Sequence, residues 1–278
     1  MLRLLHALKP VRDGDVANPV PGAPADAEMK AFVRSESVQT AYSYGLIALE
    51  SAGDHLAAYD ALVLMQAFSM APLTCLRGLL EAAAVASWQL DPSIGVRDRV
   101  ARNLALRFAT LTMQRKVANA KSDTAGVHTV DTKIECLEEL AIELGYLPIR
   151  DKKGRRDGVG CRKPNVSDML ESEFDFRSAY RPLSALAHAD PIALFQVGFS
   201  GVERASGVAF ARKAVNTQLQ RDLLASATLL YARPVWYHVL QFGRDSNQAA
   251  RLLESASDEL GLANTNDVRF WRASVRRS

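Results

Sequence analysis

One segment of the chain, LTCLRGLLEAAAVASWQL at residues 73–90, is apolar on nearly every side of a helix. A helix of this kind has no face suited to water, so it must be surrounded by other elements and is typical of the centre of a bundle. Pro72 lies in its expected first turn, where the missing N–H is not needed, and Asp91 followed by Pro92 ends it. The rest of the chain has to supply helices that cover this one.

Composition and periodicity indicate that such helices exist. Of the 278 residues 48% are apolar and only 7% aromatic, with abundant Ala and Leu, a balance that favours helix over strand. Helical spacing of apolar residues begins near Asp26, Val96, Thr132, Thr217 and Ser246. Aromatic and β-branched runs after Pro191 allow one small β-hairpin. We predict a mainly α fold, a helical bundle with a helical C-terminal extension, in which Gly53 either divides the first long helix or only weakens it.

Three segments lack this periodicity and define the expected domain organisation. Residues 1–25 are expected to form a flexible leader, because residues 11–25 concentrate Pro, Gly, Asp and Asn. Residues 147–166 contain seven Lys or Arg residues and are expected to form a mobile basic loop. Residues 263–278 form a basic tail. The chain between leader and tail, residues 26–262, is predicted to be one helical domain with the basic loop inserted in it.

Charge, cysteine and hydropathy patterns exclude several classes of protein. A net charge of +3 does not by itself indicate a nucleic-acid-binding protein. The three cysteines are widely spaced, and the five histidines show no helical metal-ligand pairing, so we expect neither disulfides, nor a metal, nor a cofactor. No apolar run approaches the roughly 20 residues of a membrane span. The expected protein is soluble and cytoplasmic.

Basic residues cluster in three places that could together bind the phosphates of RNA. One is the tail, where Phe270 and Trp271 could stack on bases. Another is the helix with Arg97, Arg99, Arg102, Arg107, Arg115 and Lys116 on its expected exposed surface. The third is the basic loop, whose candidate nucleic-acid-binding residues are Arg150, Lys152, Lys153, Arg155, Arg156, Arg162 and Lys163. The alternative is that these are solvated faces balanced by acidic residues elsewhere.

The best candidates for chemistry lie in AYRPLSALAHADP, residues 179–191, which we name the motif segment. In a helix, Tyr180, Ser184 and His188 stand one turn apart and stack on one side. Arg181 and His188 are seven residues apart, close to two turns, and therefore point in nearly the same direction.

A second polar pair, Arg77 and Glu81, interrupts the apolar central helix at a spacing of four residues. Leaving either charge buried alone would cost several kcal/mol. We therefore expect the helices to pack with this pair facing His188 or Tyr180. The alternative interpretation is an ordinary structural salt bridge on the same helix.

At these residues the sequence resembles the HEPN superfamily, compact helical bundles whose signature is an arginine, four to six residues, and a histidine. Arg181 and His188 enclose PLSALA and match that spacing. The pairing of LRGLLEAAAVASWQLDP with YRPLSALAHADP also resembles a group of uncharacterised bacterial helical proteins with a Y-x-x-L-S-x-x-x-H signature. The resemblance covers roughly residues 31–195. The sequence departs from it at Pro182, where catalytic families usually have a polar residue; a helix beginning at this proline would leave Tyr180 outside the stack.

The resemblance implies a metal-independent RNase, a homodimer that brings two motifs together, and a role as a toxin or in phage defence with a cognate antitoxin or defence partner. Arg181 would stabilise the charge of the scissile phosphate, and His188 would transfer a proton at the ribose 2′-OH or the leaving oxygen. Tyr180, Ser184, Arg77 and Glu81 would support them. The alternative is a non-catalytic helical adaptor or small-ligand sensor, in which the same residues form a structural polar network.

Overall fold

The computed structural model describes residues 18–65, 70–174, 180, 183–185, 188, 199–205, 208–213 and 217–259. The elements in chain order are α1 (Pro24–Ala31), α2 (Ser35–Met65), α3 (Ala71–Leu90), α4 (Val96–Ala120), α5 (Thr124–Glu143), β1 (Pro148–Arg150), β2 (Arg156–Val159), α6 (Val166–Phe174), β3 (Phe199–Ala205), β4 (Val208–Lys213), α7 (Thr217–Phe242) and α8 (Ser246–Glu259). The predicted mainly α fold is confirmed.

The apolar helix α3 lies at the centre, as its apolar circumference predicts. It packs along α2 and is covered by α7 and α6. Leu79, Leu80 and Ala83 are completely buried in these interfaces. The α4–α5 pair, joined by a short turn, packs beside this group through α2 and α3. Burial of α3 on several sides therefore sets where every other helix lies.

The structure settles one helix boundary that the sequence left open and corrects another. Helix α2 runs unbroken through Gly53, where an added Cβ would lie 2.9 Å from the Tyr231 hydroxyl oxygen, so a glycine lets α7 pack closely. Helix α5 begins at Thr124 rather than near Thr132, because the Asp123 carboxylate accepts a hydrogen bond from the backbone N–H of Gly126 at 2.8 Å. In both places a tertiary contact or a cap decided what apolar spacing left open.

The end of the expected flexible leader belongs to the folded domain. The backbone N–H of Val20 donates to the carbonyl of Phe242 at 3.0 Å, and Ala25 is completely buried. Helix α1 begins at Pro24, before the predicted boundary. Residues 1–17 and the basic tail, residues 263–278, lie outside the described residues.

Two antiparallel hairpins accompany the helices. The β3–β4 hairpin, which pairs Phe199 with Lys213 and Ala205 with Val208, lies where the sequence allowed one. The β1–β2 hairpin lies inside the segment predicted to be a mobile loop, and that prediction is wrong. Val159 is fully buried, and β2 packs on α4. These contacts order a segment in which polar residues predominate.

Gly160, directly after β2, holds this hairpin against α4. Its φ is +72°, and an added Cβ would lie 3.1 Å from the Ala101 Cα. We expect Gly160→Ala to lower the free energy of unfolding by about 2–3 kcal/mol, combining left-handed strain with overpacking. Gly154→Ala is the control, because its φ is +75° but nothing lies within 4 Å; it should lose only about 1 kcal/mol. If urea denaturation shows equal losses of unfolding free energy for the two variants, the backbone at Ala101 moves away from the added Cβ at no cost.

Arg99 ties the helices together from inside. Its guanidinium is completely buried and donates from Nε to Glu28 Oε2 at 2.9 Å and from Nη1 to the carbonyl of Gln89 at 2.7 Å. It also lies over the Tyr42 ring, 4.7 Å from the centroid. Burial raises the pKa of Tyr42 far above its usual range, so its hydroxyl stays protonated and donates to Glu28 at 2.8 Å. This network joins α1, α2, α3 and α4.

The placement of Arg99 on an exposed basic surface is therefore wrong. Three other arginines expected on that surface are also engaged: Arg102 lies 5.1 Å from the Trp88 ring centroid, Arg97 lies 5.0 Å from that of Tyr146, and Arg115 pairs with Asp131 at 2.7 Å. Spacing alone could not reveal this, because the partners come from other elements. In the portion of the chain that the structure describes, no helix is long and apolar enough to cross a membrane.

Candidate functional site

Four of the predicted site residues meet in a polar cluster, which we define as Arg77, Glu81, Tyr180 and His188. Arg77 Nε donates to Glu81 Oε1 at 2.8 Å, and the Tyr180 hydroxyl donates to the same oxygen at 2.7 Å. Arg77 Nη1 lies 3.4 Å from His188 Nε2. The Arg77 guanidinium is also 5.9 Å from the centroid of the Tyr180 ring. The arrangement expected from the cost of burying an unpaired charge is observed.

Local helix geometry positions each side chain of the cluster. Arg77 and Glu81 lie one turn apart on α3 and so present their charges to the same neighbour. In the motif segment the backbone N–H of His188 donates to the carbonyl of Ser184 at 3.1 Å, which places these two residues on successive turns. Leu183 is buried and anchors this part of the segment in the core.

Tyr180 has helical backbone and reaches Glu81, so the expectation that Pro182 would place it outside the helix is wrong. Arg181 and Pro182 themselves lie outside the described residues. Ser184 is half-buried, one turn before His188. The structure thus places Arg77 and Glu81 of α3 against Tyr180 and His188 of the motif segment.

Burial and charge act together at the cluster. Burial raises the pKa of the Tyr180 hydroxyl, and its hydrogen bond to the Glu81 carboxylate raises it further. Burial lowers the pKa of Lys163, and the nearby Glu81 carboxylate opposes that shift. Glu81 therefore has two cations near it, Arg77 and Lys163.

Lys163 was predicted to bind nucleic acid as part of a basic loop, and the structure places it, half-buried, within electrostatic range of the Glu81 carboxylate. It follows the β1–β2 hairpin and precedes α6, which packs on α3. That packing brings the lysine near Glu81. No spacing rule in the sequence connects the two residues.

His55 packs on α3 at Gly78, a contact that the sequence analysis did not identify. An added Cβ at Gly78 would lie 2.5 Å from the His55 Cε1, so the imidazole packs directly on the backbone of α3 beside Arg77. The available signal was the glycine itself, in a helix interior where glycine is unfavourable unless something approaches closely. The glycine therefore lets α2 pack closely on α3 at this position.

The open side of the cluster is at His188. Its side chain is exposed, whereas those of Arg77 and Tyr180 are half-buried. A nitrogen that faces a guanidinium N–H must present its lone pair to accept, which is the form of imidazole that takes up a proton. An exposed proton acceptor beside a fixed cation can act on a phosphate ester, because the cation holds the anion while the imidazole transfers the proton.

Most basic residues of the β1–β2 hairpin are paired with carboxylates. Arg150 and Arg156 contact Glu138 at 3.3 and 3.4 Å, Arg155 contacts Asp151 at 2.7 Å, and Arg162 contacts Asp157 at 2.7 Å. Lys152 and Lys153 are exposed and have no ion pair to the described residues. Because the carboxylates balance these charges, the geometry favours the interpretation of the hairpin as a solvated face. It does not favour the alternative, a surface that binds RNA phosphates.

Among the described residues no group of three or more His, Cys, Asp or Glu side chains could hold a metal ion. The fold and the cluster define a helical-bundle protein with an exposed imidazole held beside a guanidinium. Comparison with protein-family models, with curated proteins and with solved structures found no match.

Proposed function

We propose that this protein is a metal-independent endoribonuclease of the HEPN type, in which His188 transfers protons and arginines bind the scissile phosphate. The observation that supports this most is the 3.4 Å contact between Arg77 Nη1 and His188 Nε2 at the exposed edge of the cluster. A guanidinium engages phosphate oxygens through a planar fork of donors, and an imidazole exchanges protons near neutral pH. Both groups are supplied at one accessible place.

The chemistry uses side chains alone. The ribose 2′-OH replaces Arg77 Nη1 as the donor to the Nε2 lone pair of His188. His188 then takes the proton of the 2′-OH, the 2′-oxygen attacks phosphorus, and the bond to the 5′-oxygen breaks, leaving a 2′,3′-cyclic phosphate. The leaving oxygen takes its proton from a second acid, which the motif of a second copy would supply in a homodimer. Arg77, together with Arg181, would neutralise charge on the phosphate oxygens as it develops.

Glu81 acts as a positioning residue in this proposal. It accepts hydrogen bonds from both Arg77 and Tyr180, which fixes the direction of the guanidinium before substrate arrives. Such preorganisation reduces the reorganisation that binding and reaction would otherwise require.

A second candidate, a non-catalytic adaptor or sensor, is favoured by one specific observation. Glu81 Oε1 is satisfied by Arg77 and Tyr180 without any ligand, so the cluster could serve only to join α3 to the motif segment. In that case substitutions in the cluster would change stability while no RNA is cleaved.

The test is cleavage of a mixed RNA pool by the purified full chain in the presence of EDTA. We expect the wild-type protein to leave 2′,3′-cyclic phosphate ends and Arg181→Ala to lower the rate by about 100-fold or more, the typical effect of losing one electrostatic stabiliser. Growth arrest on expression should be relieved by the same substitution. A folded wild-type protein that leaves all RNA intact would exclude the RNase and leave the adaptor.

A further inference from the structure

A cleft lies between α2, α4 and α5, and none of the polar-cluster residues lines it. Its volume is about 520 Å³, and its lining includes Tyr44 from α2, Arg107 and Gln114 from α4, and Lys133 and Cys136 from α5. Small-molecule sites commonly have volumes of about 300–1,000 Å³. The cleft therefore has the size of a site for a small organic ligand.

Two cations line this cleft. Arg97, Arg99, Arg102 and Arg115 on α4 each contact a carboxylate, a carbonyl or an aromatic ring. Arg107 on the same helix and Lys133 on α5 make no ion pair with any described residue. Cations that the fold leaves without a counter-charge at a concave site favour an anionic ligand.

The remaining walls are suited to an apolar body. Leu111, Leu137 and Leu140 line the cleft together with the Tyr44 ring. Gln114 adds an amide that can donate or accept a hydrogen bond. An apolar lining with a few polar groups that fix orientation is typical of a ligand site.

We propose that this cleft binds a small amphipathic organic anion, with its acidic group between Arg107 and Lys133 and its aromatic or aliphatic body against Tyr44 and the leucines. This site is independent of the proposed RNase. Its ligand is a small molecule rather than a polynucleotide, because the cleft encloses about 520 Å³ and has only two cations in its lining.

The probe is 8-anilinonaphthalene-1-sulfonate, an aromatic anion of this class, titrated into the full-length protein and followed by its fluorescence. We expect saturable binding at one site. Arg107→Met should weaken it about tenfold or more, because a charge-assisted hydrogen bond is lost while the side-chain volume is kept. Arg115→Met is the matched control, since that arginine is on the same helix but already paired with Asp131, and it should leave the affinity unchanged.

Lys133→Met gives a second, independent test, because Lys133 is exposed and its replacement should leave the fold intact. It should also weaken binding about tenfold. The proposal is overturned if no saturable binding occurs, or if Lys133→Met and a folded Arg107→Met both bind the probe as tightly as the wild-type protein. His188→Ala should leave this affinity unchanged, so failure of the RNase proposal does not affect the result.

Cys136 reports where the probe binds. Its side chain is exposed in the cleft, whereas burial raises the pKa values of the thiols of Cys75 and Cys161 and slows their alkylation. Iodoacetamide, which is uncharged, should modify Cys136 first, as read by mass spectrometry of the digested chain. Bound probe should slow this reaction several-fold in the wild-type protein and not in Arg107→Met. Modification of Cys136 at the same rate with and without saturating probe would place the probe elsewhere and overturn the site.

Discussion

Replacement of Arg99 by methionine is expected to lower the free energy of unfolding by about 3–5 kcal/mol. Arg99 has no exposed side-chain surface and contacts Glu28, three backbone carbonyls and the face of the Tyr42 ring. Methionine fills much of the volume but leaves Glu28 without its cation and the carbonyls without donors. Such losses cost far more than the salt bridge itself contributes, because desolvated partners remain unpaired.

The measurement is urea denaturation followed by circular dichroism, with Arg115→Met as the control. Arg115 also forms an arginine–carboxylate pair, but its side chain is 46% exposed, so its loss should cost less than about 1 kcal/mol. Similar midpoints for the two variants would contradict a structural role for the buried network. Domains are typically stable by about 5–15 kcal/mol, so Arg99→Met removes a large share of the margin.

His188→Ala is expected to lower kcat for RNA cleavage by about 10²–10⁴-fold with little change in KM, if the proposed RNase is correct. Alanine removes the group that transfers the proton but none of the arginines that bind the phosphate. Arg77→Met should instead both raise KM and lower kcat, because a cation at the phosphate contributes to binding as well as to the transition state.

His128→Ala is the matched control, since His128 is also an exposed histidine on a helix but lies on α5, outside the polar cluster. It should cleave RNA at the wild-type rate. Chemical denaturation of all three variants separates catalysis from folding. Loss of activity in His188→Ala with an unchanged unfolding midpoint supports a role in proton transfer, and equal activity in His188→Ala and His128→Ala would contradict it.

Much of the architecture follows from local rules. The apolar circumference of α3 placed it at the centre, and the aromatic and β-branched runs after Pro191 indicated the β3–β4 hairpin. The Arg77–Glu81 spacing also led to the expectation that this pair faces the motif segment, because an unpaired charge in an apolar helix is too costly to leave alone. In these cases the physical constraint acts within one helix or strand.

The errors arose where the partner of a residue lies far along the chain. Arg99 was expected to be exposed because it lies off the apolar side of its own helix, whereas Glu28 and Tyr42 bury it from other helices. The β1–β2 hairpin was interpreted as a mobile loop because most of its residues are charged. The carboxylates that pair with Arg150 and Arg156 come from α5. Charge pairing between distant elements leaves no periodic pattern in a sequence.

The sequence by itself determined the helical class and the central helix, and it singled out Arg77 with Glu81 as a pair that needs a partner. Helical spacing and the cost of unpaired charge act locally. Only the tertiary structure decided that His188 lies 3.4 Å from Arg77, that the charge of Glu81 acts on Lys163, and that Arg107 and Lys133 line one cleft without an ion pair to a described residue. Those outcomes depend on how whole helices pack, and packing is set by the summed contacts of many side chains rather than by any one spacing.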